Sequence, residues 1–254
     1  MLDYDREAAH YDATRGGDAR AGAAAEAIEV LLRQAGGGAA QLTDLACGTG
    51  IVTVRLARPG RSVTGIDRSA GMAAVAAGRL PGRIALGDVT RLPLAAGSAD
   101  AVTMVWLLHL LSATASVQAI AEAARVLRPG GLLITTAGKN DAEFAPPAGD
   151  APAILAPVRA RFGRAQTDAL DRVRAVGGQH GLTLAAQTTF AGIGQGLSPR
   201  DWRKRLDQGA LGWAAAAGPD VVGTLRAELA GLPGQDLARP DPSYQLVALR
   251  KGWQ

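Results

Sequence analysis

The chain has 254 residues, of which 48% are hydrophobic, and this is enough to bury one substantial core. Its 27 basic and 23 acidic residues leave a net charge of +4, too small and too dispersed to indicate nucleic-acid binding. The single cysteine, Cys47, excludes an intrachain disulfide, and His10, His109 and His180 do not have metal-ligand spacing. Residues 1–10 are too charged for a secretory signal and no apolar run reaches membrane-spanning length, so we expect a soluble, cytoplasmic protein.

The amino-terminal 40 residues are predicted to be helical. A short lead precedes a helix over about 18–35, which ends at consecutive glycines. We expect residues 1–40 to form a lid and helix in front of the core.

Residues 41–137 alternate apolar runs of strand length with alanine-rich helical stretches. This pattern is typical of βαβ units that build a parallel sheet. The predicted strands are 41–45, 61–66, 83–87, 100–105 and 131–137.

The remainder, residues 138–254, is predicted to complete the same domain, so that 1–254 form one unit. We expect a helix over 152–177, a sixth strand over 182–190 and a last strand over 244–251. Between these strands, an insertion of about 192–240 with two helices is expected to shape a substrate pocket above the sheet.

The end of the first strand carries the strongest local pattern. Asp44-Leu-Ala-Cys-Gly-Thr-Gly50 has small residues that permit a tight strand-to-helix turn and close backbone approach to a ligand. Such a turn suits NAD, FAD or simple helix packing. It lacks the third glycine of the dinucleotide fingerprint, so the turn alone does not distinguish these ligands from helix packing, and the ends of the neighbouring strands are needed as further evidence.

Two acids follow at the ends of the next two strands. Asp67 lies 17 residues beyond Gly50, where a carboxylate can accept hydrogen bonds from both ribose hydroxyls. Asp88 follows the third strand, where it can accept the adenine amino group. Together the three strand ends predict a pocket for an adenosine-containing cofactor.

The motifs LTDLACGTG, VTGID, GDVTRLPLAAGSADAV and RVLRPGGLLIT, in this order, resemble those of the class I S-adenosylmethionine-dependent methyltransferases of the bacterial small-molecule type. The resemblance covers residues 41–137. It implies an α/β fold with a Rossmann-like seven-stranded sheet of order 3-2-1-4-5-7-6, the last strand antiparallel, and helices on both faces. It also implies S-adenosyl-L-methionine as the cofactor.

Carried over to this chain, the resemblance places Ala46 and Gly48 against the methionine portion of the cofactor. Asp67 would bind the ribose, Asp88 the adenine amine and Val89 the adenine ring edge. The cofactor-binding set is completed by Asp44, which would orient the turn, by Cys47, expected to be structural, and by Gly50, Arg68 and Val105. Ala46 departs from the family, which more often has glycine there.

Tyr11 and Arg15 belong to a lead segment that resembles the part of small-molecule methyltransferases that folds over the cofactor carboxylate. The alternative is a disordered terminus with an incidental tyrosine.

His109 follows the fourth strand and is our candidate catalytic base, because an unperturbed pKa near 6.5 suits proton removal near neutrality. The alternative is that it only fixes the loop by a hydrogen bond. Tyr4, His10 and Asp12 are other candidates, and methyl transfer by in-line displacement can also proceed without a base.

Three further features each have two interpretations. The stretch Arg200–Arg205 could bind an acidic substrate or RNA, or it could be a solvated helix face with Trp202 turned inward, and we favour the helix face. Phe190 and Trp213 either line the acceptor pocket or fill the core.

The sequence after the fourth strand, Met104-Val-Trp-Leu107, lacks the tetrad of enzymes that methylate nucleic-acid amino groups, and no spare cysteine is available to attack a pyrimidine. We therefore predict methyl transfer to an oxygen, nitrogen or carbon of a small organic molecule, such as a specialised metabolite, by a monomer or homodimer. No nucleic-acid, membrane or metal partner is expected. A cofactor-binding cyclase or rearrangement catalyst and a nicotinamide-dependent oxidoreductase remain as alternatives.

Overall fold

The computed structural model describes residues 3–36, 39–145, 149–163 and 165–253. These residues form two compact units. The first comprises residues 1–139, 167–190 and 244–254, and the second comprises residues 140–166 and 191–243.

The first unit is built on a seven-stranded sheet of order β3-β2-β1-β4-β5-β7-β6. β1 pairs in parallel with β2 and β4, whereas β7 runs antiparallel to β5. The predicted strand order and the antiparallel last strand are confirmed. The strands are β1 (Gln41–Leu45), β2 (Ser62–Asp67), β3 (Ile84–Leu86), β4 (Ala99–Met104), β5 (Leu127–Ala137), β6 (Leu182–Ala191) and β7 (Ser243–Lys251).

The helices of the first unit begin with three amino-terminal segments, two of them a single turn long. The helices of this unit are α1 (Tyr4–Glu7), α2 (Tyr11–Thr14), α3 (Gly17–Gln34), α4 (Thr53–Leu56), α5 (Ala70–Arg79), α6 (Ala113–Val126) and α8 (Leu170–Gln179). A 3₁₀ turn, Leu108–Leu110, follows β4. Ser69 begins α5 by accepting a hydrogen bond from the Met72 N–H at 3.1 Å.

The core of the first unit lies between the central strands and their helices. Leu45, Ile66, Met104 and Leu133 are fully buried and belong to one apolar cluster. Burial of such side chains is the main favourable term in folding, so this core fixes the strand ends at which the site is built.

The second unit contains α7 (Asp150–Phe162), α9 (Pro199–Asp207), α10 (Ala214–Ala217) and α11 (Pro219–Gly231). Ser198 and Asp201 form a capping box at the start of α9. The unit has its own apolar cluster, in which Trp202 and Trp213 are 2% and 9% exposed.

The predicted helix over 152–177 is wrong, because the chain forms α7 and α8 with an interruption between them. In that interruption, Asp168 is fully buried. Its backbone carbonyl accepts a hydrogen bond from the Gly138 N–H, and its side-chain carboxylate accepts one from the Lys139 N–H. These bonds satisfy backbone donors just after β5. They require a non-helical segment before α8.

Candidate active site at the carboxyl ends of the strands

The turn after β1 has an alternating left-handed backbone. Ala46, Gly48 and Gly50 have φ angles of +55°, +58° and +74°. A Cβ atom at Gly50 would lie 3.0 Å from the Cβ of Ala76 on α5, so glycine is required there for both conformation and close packing. Ala46, where the family more often has glycine, adopts the left-handed conformation despite its methyl group.

Asp44 anchors this turn from below. Its carboxylate is 4% exposed and accepts 2.6 Å hydrogen bonds from the hydroxyls of Thr53 and Thr103. Burial raises the pKa of Asp44 to about 6, although the two hydroxyl donors oppose this shift. Asp44 therefore ties β1, β4 and α4 together, consistent with the predicted role of orienting the turn.

Asp67 links the turn to the next βα connection. One carboxylate oxygen accepts a hydrogen bond from the Gly48 N–H at 2.8 Å, and the other accepts one from the Ser69 N–H at 2.9 Å. Each carboxylate oxygen has more than one acceptor site, so this geometry leaves capacity for two further donors, such as vicinal hydroxyls.

Cys47 is 8% exposed, and its backbone N–H donates to the Ile66 carbonyl at 3.1 Å. A Cβ atom at Gly65 would lie 2.8 Å from the Cys47 Sγ, so the thiol fills the space above that glycine. Burial raises the pKa of Cys47, which keeps it protonated. This environment suits a packing role.

The third strand end is more open. Asp88 is exposed, and its Oδ1 accepts hydrogen bonds from the backbone N–H and the hydroxyl of Thr90 at 2.8 and 2.7 Å, which lower the pKa of Asp88. Val89 is 8% exposed, whereas Arg68, beside Asp67, is exposed. The turn thus presents an ionised carboxylate and an apolar side chain next to each other.

The amino-terminal segment is attached to this site at two points. Asp5 accepts hydrogen bonds from the Ser69 hydroxyl at 2.6 Å and the Gly71 N–H at 2.9 Å, and these bonds lower the pKa of Asp5. Asp12 accepts a 2.6 Å hydrogen bond from the Thr49 hydroxyl and pairs with Arg79 at 2.6 Å. Neither attachment could be predicted from the sequence, because single acidic residues in a polar lead carry no spacing signal.

Tyr4, Tyr11 and Arg15 lie together in this segment. The two tyrosine rings are 6.2 Å apart, and the Arg15 guanidinium lies 5.8 Å from the Tyr11 ring centroid. Burial raises the pKa of Tyr4, and neighbouring Tyr11 adds to the shift. His10 is exposed at the start of α2.

On the other side of the turn, the chain leaves β4 through half-buried Val105 and Trp106. Trp106 has a φ of +56°, and its backbone N–H donates to the Thr136 hydroxyl at 2.9 Å. Its ring contacts those of Phe190 and Tyr244, with centroids 5.7 and 6.0 Å away. Phe190 is buried, so of its two interpretations this packing favours the core.

Arg20 of α3 covers the Trp106 ring, with its guanidinium carbon 3.6 Å from the ring centroid. The side chain is 7% exposed and donates to the Arg15 carbonyl at 2.9 Å. A sequence signal was available, because Arg20 lies four and eight residues before Ala24 and Ile28 on the buried stripe of the helix.

His109 lies in the 3₁₀ turn, and its Nδ1 is buried without a hydrogen-bond partner among the described residues. Burial lowers the pKa of His109 to about 3, and the charges of Lys139 and Arg20 add to this. The imidazole is therefore neutral near pH 7, and its basicity is far weaker than the unperturbed value assumed from the sequence.

The arginine-rich stretch belongs to the second unit. Trp202 is buried there as predicted, and Arg200 pairs with Asp236 at 2.7 Å on an exposed face. Trp213 belongs to the apolar cluster of this unit, which favours the core interpretation.

Within the described ranges, no helix combines the length and apolar character needed to cross a membrane. Across the same residues, no three histidine, cysteine or acidic side chains converge as a metal site would require.

Comparison with known proteins finds similarity over part of the chain. The pattern of a methyltransferase domain matches residues 43–135. A demethylmenaquinone methyltransferase of Beutenbergia cavernae is 42% identical over 108 residues, which are 42% of each chain. The chain thus covers less than half the length of this relative.

Solved structures share the fold at lower identity. The [4+2]-cyclase SpnF matches with a TM-score of 0.53 and 22% identity over 90% of this chain and 81% of its own. Geranyl diphosphate methyltransferase, solved with geranyl diphosphate and sinefungin, matches with a TM-score of 0.51 and 17% identity over 90% of this chain and 78% of its own. The chain thus has the predicted sheet order, and its residues 43–135 are similar to a methyltransferase domain.

Proposed function

We propose that the chain transfers a methyl group from S-adenosyl-L-methionine to an oxygen, nitrogen or carbon atom of a small organic molecule. The observation that carries this proposal is the Asp67 carboxylate, held by the N–H groups of Gly48 and Ser69 at the glycine-rich turn. A rigid acceptor at this strand end suits the two hydroxyls of a ribose.

The bound cofactor would supply an electrophilic methyl group on sulfur. Asp67 binds the ribose hydroxyls in this proposal, while Asp88 and Val89 bind the adenine. The left-handed backbone at Ala46 and Gly48 admits the methionine portion. The other proposed cofactor-binding residues are Tyr11 and Arg15 for the carboxylate, Asp44 and Cys47 for the shape of the turn, and Gly50, Arg68 and Val105 around it.

His109 remains our candidate catalytic residue, but in a neutral state. A buried imidazole with a pKa of about 3 is a weak base, and its better use is to accept or donate one hydrogen bond that orients the acceptor. Among the alternatives, Asp12 is already bonded to Thr49 and Arg79, which lowers its availability as a base.

The proposed acceptor class follows from the relatives and from the sequence. The name of this relative, demethylmenaquinone methyltransferase, is consistent with a small-molecule acceptor. The insertion of about 192–240 is proposed to shape the substrate pocket, within a single methyltransferase domain over 1–254. We also propose a cytoplasmic monomer or homodimer with no nucleic-acid, membrane or metal partner.

The alternative in which the cofactor is bound without methyl transfer stays open, since one solved neighbour is a cyclase. Product mass separates the two, because methylation adds one carbon. The nicotinamide alternative is disfavoured by the match to a methyltransferase domain.

Calorimetric titration with S-adenosylhomocysteine tests the proposal. Asp67→Ala removes the proposed ribose acceptor and should weaken binding by about 100-fold, since hydrogen bonds to charged groups contribute about 1.5–3 kcal/mol each. Asp100→Ala is the matched control, because Asp100 also accepts a backbone N–H, from Gln41 at 2.8 Å, but at the start of β4. Folded wild-type protein that fails to bind would overturn the proposed function.

A further inference from the structure

Arg20 is a buried cation without a carboxylate partner. The side chain is 7% exposed, and no acidic residue in the described part of the chain lies within ion-pair distance of it. Taking a charge out of water costs several kcal/mol unless a counter-charge compensates it. Burial accordingly lowers the pKa of Arg20 from its usual value, although a hydrogen bond with the Tyr244 side chain opposes this shift.

Two hydrogen-bond donors at this position also lack acceptors. The Arg20 Nε and the Trp106 Nε1 are both buried, and neither has a partner among the described residues. The two side chains are stacked, with 3.6 Å between the guanidinium carbon and the ring centroid. Two N–H donors beside a positive charge match the two oxygens of a carboxylate.

Both side chains line a pocket together with Tyr11, Asp12, Arg15 and Ile51. The pocket lies beside the glycine-rich turn after β1, residues 46–50, which we call the cofactor turn. Ile51 directly follows Gly50, and Trp106 follows β4, so the pocket lies between the turn and the end of the fourth strand. The carboxylate of Asp12 is already paired with Arg79 at 2.6 Å. The two arginines therefore give the pocket a net positive charge.

We propose that Arg20 and Trp106 form a binding site for a carboxylate group of a ligand. The carboxylate comes from an acidic methyl acceptor or from the aminoacyl end of the cofactor, and this choice rests on the proposed function. We favour the acceptor, because Tyr11 and Arg15 are the candidates for the cofactor carboxylate. The methyl acceptor is then an aromatic or aliphatic molecule that carries a carboxylate.

The test uses three ligands on the full chain: benzoate as an acidic probe, S-adenosylhomocysteine, and methylthioadenosine, which has the adenosine but no carboxylate. Each is titrated calorimetrically into wild type, Arg20→Gln and Arg33→Gln. Arg33 is an exposed arginine on the same helix, so its variant has the same charge change outside the pocket. Arg20→Lys, which keeps the charge but loses the planar stacking, is used if Arg20→Gln does not fold.

An acidic acceptor site predicts at least a tenfold loss of benzoate affinity in Arg20→Gln, with S-adenosylhomocysteine binding unchanged. A site for the cofactor carboxylate predicts a similar loss for S-adenosylhomocysteine but none for methylthioadenosine. Unchanged binding of all three ligands overturns the proposal. If wild type binds benzoate through Arg20 but neither adenosine ligand, the proposed function fails while the carboxylate site stands.

Discussion

The two sides of the site differ in how their polar groups are satisfied. At the cofactor turn, Asp44 and Asp67 each accept two hydrogen bonds from the protein, all between 2.6 and 2.9 Å. On the other side of the turn, three buried nitrogen atoms have no hydrogen-bond partner among the described residues: Arg20 Nε, Trp106 Nε1 and His109 Nδ1.

This difference separates scaffold from ligand-dependent structure. A buried group that is already bonded holds its position before any ligand arrives, so the cofactor turn is pre-organised. A buried group without a partner costs free energy that a ligand can recover. We therefore expect changes at the turn to lower stability and changes at Arg20 and Trp106 to act mainly on binding.

The largest expected effect tests the rigidity of the turn. Gly50→Ala combines a left-handed conformation, at about 1–2 kcal/mol, with overpacking against Ala76, at about 1–3 kcal/mol. Gly60→Ala is the matched control, since its φ of +78° is similar but a Cβ there meets nothing within 4 Å. Urea unfolding should show a loss of about 3 kcal/mol for the first and about 1 kcal/mol for the second, and equal losses would argue against tight packing.

The next prediction concerns the pH dependence that Asp44 gives the turn. Its folded-state pKa of about 6 exceeds the usual 3.8, so the folded chain holds an extra proton between these values. The stability from this proton, about 3 kcal/mol in all, is complete below the unfolded-state pKa and is lost as pH rises through 6, with about 2 kcal/mol lost between pH 4 and pH 7. Unfolding free energies at pH 4 and pH 7 should show that Asp44→Asn lacks this loss. An identical pH dependence in wild type and variant would contradict the assigned burial.

His109, on the opposite side, should give the reverse slope. Its folded-state pKa of about 3 lies below the usual 6.5, so the unfolded chain binds the proton first as pH falls. Between pH 7 and pH 5 this destabilises the fold by about 2 kcal/mol. His109→Gln should therefore gain stability relative to wild type at pH 5, measured against their difference at pH 7. If the difference is the same at both values, the imidazole is solvated.

The smallest effect is expected where the amino-terminal segment joins the turn. Asp12→Ala removes the hydrogen bond from Thr49 and the partly exposed ion pair with Arg79. We expect the segment to lose at most about 1 kcal/mol of stability. Opening of the segment should rise up to about fivefold, read as faster tryptic cleavage at Arg15. Asp18→Ala, which removes an exposed pair with Arg55, should leave the rate unchanged. Equal acceleration in both variants would show that Asp12 has no specific role.

Much of the fold followed from local sequence pattern. The first strand was predicted with its observed limits and the last within one residue, because apolar runs between glycines and polar turns are local signals. The strand order came from the family resemblance. The helix over 152–177 failed, because the interruption depends on Asp168 bonding to residues 138 and 139, a contact between distant parts of the chain.

The site divides in the same way. Asp44, Asp67 and the glycines of the turn were identifiable because their roles depend on position after a strand. The buried position of Arg20 could have been predicted from its place on the apolar stripe of α3, but its stacking on Trp106 and the shifted pKa of His109 could not, since distant side chains determine both. Asp5 was missed for a similar reason, as its partners Ser69 and Gly71 lie 64 and 66 residues away.

The position of β7 between β5 and β6 has a consequence for synthesis on the ribosome. Residues 243–251 leave the exit tunnel after all the other strands, so the sheet keeps an open slot beside β5 until they emerge. During that interval, the hydrogen-bonding edge of β5 from Leu132 to Ala137 is available to any extended chain. Until these residues emerge, the newly made chain is therefore prone to aggregation through this edge, and a peptide copy of β7 would compete for the same position.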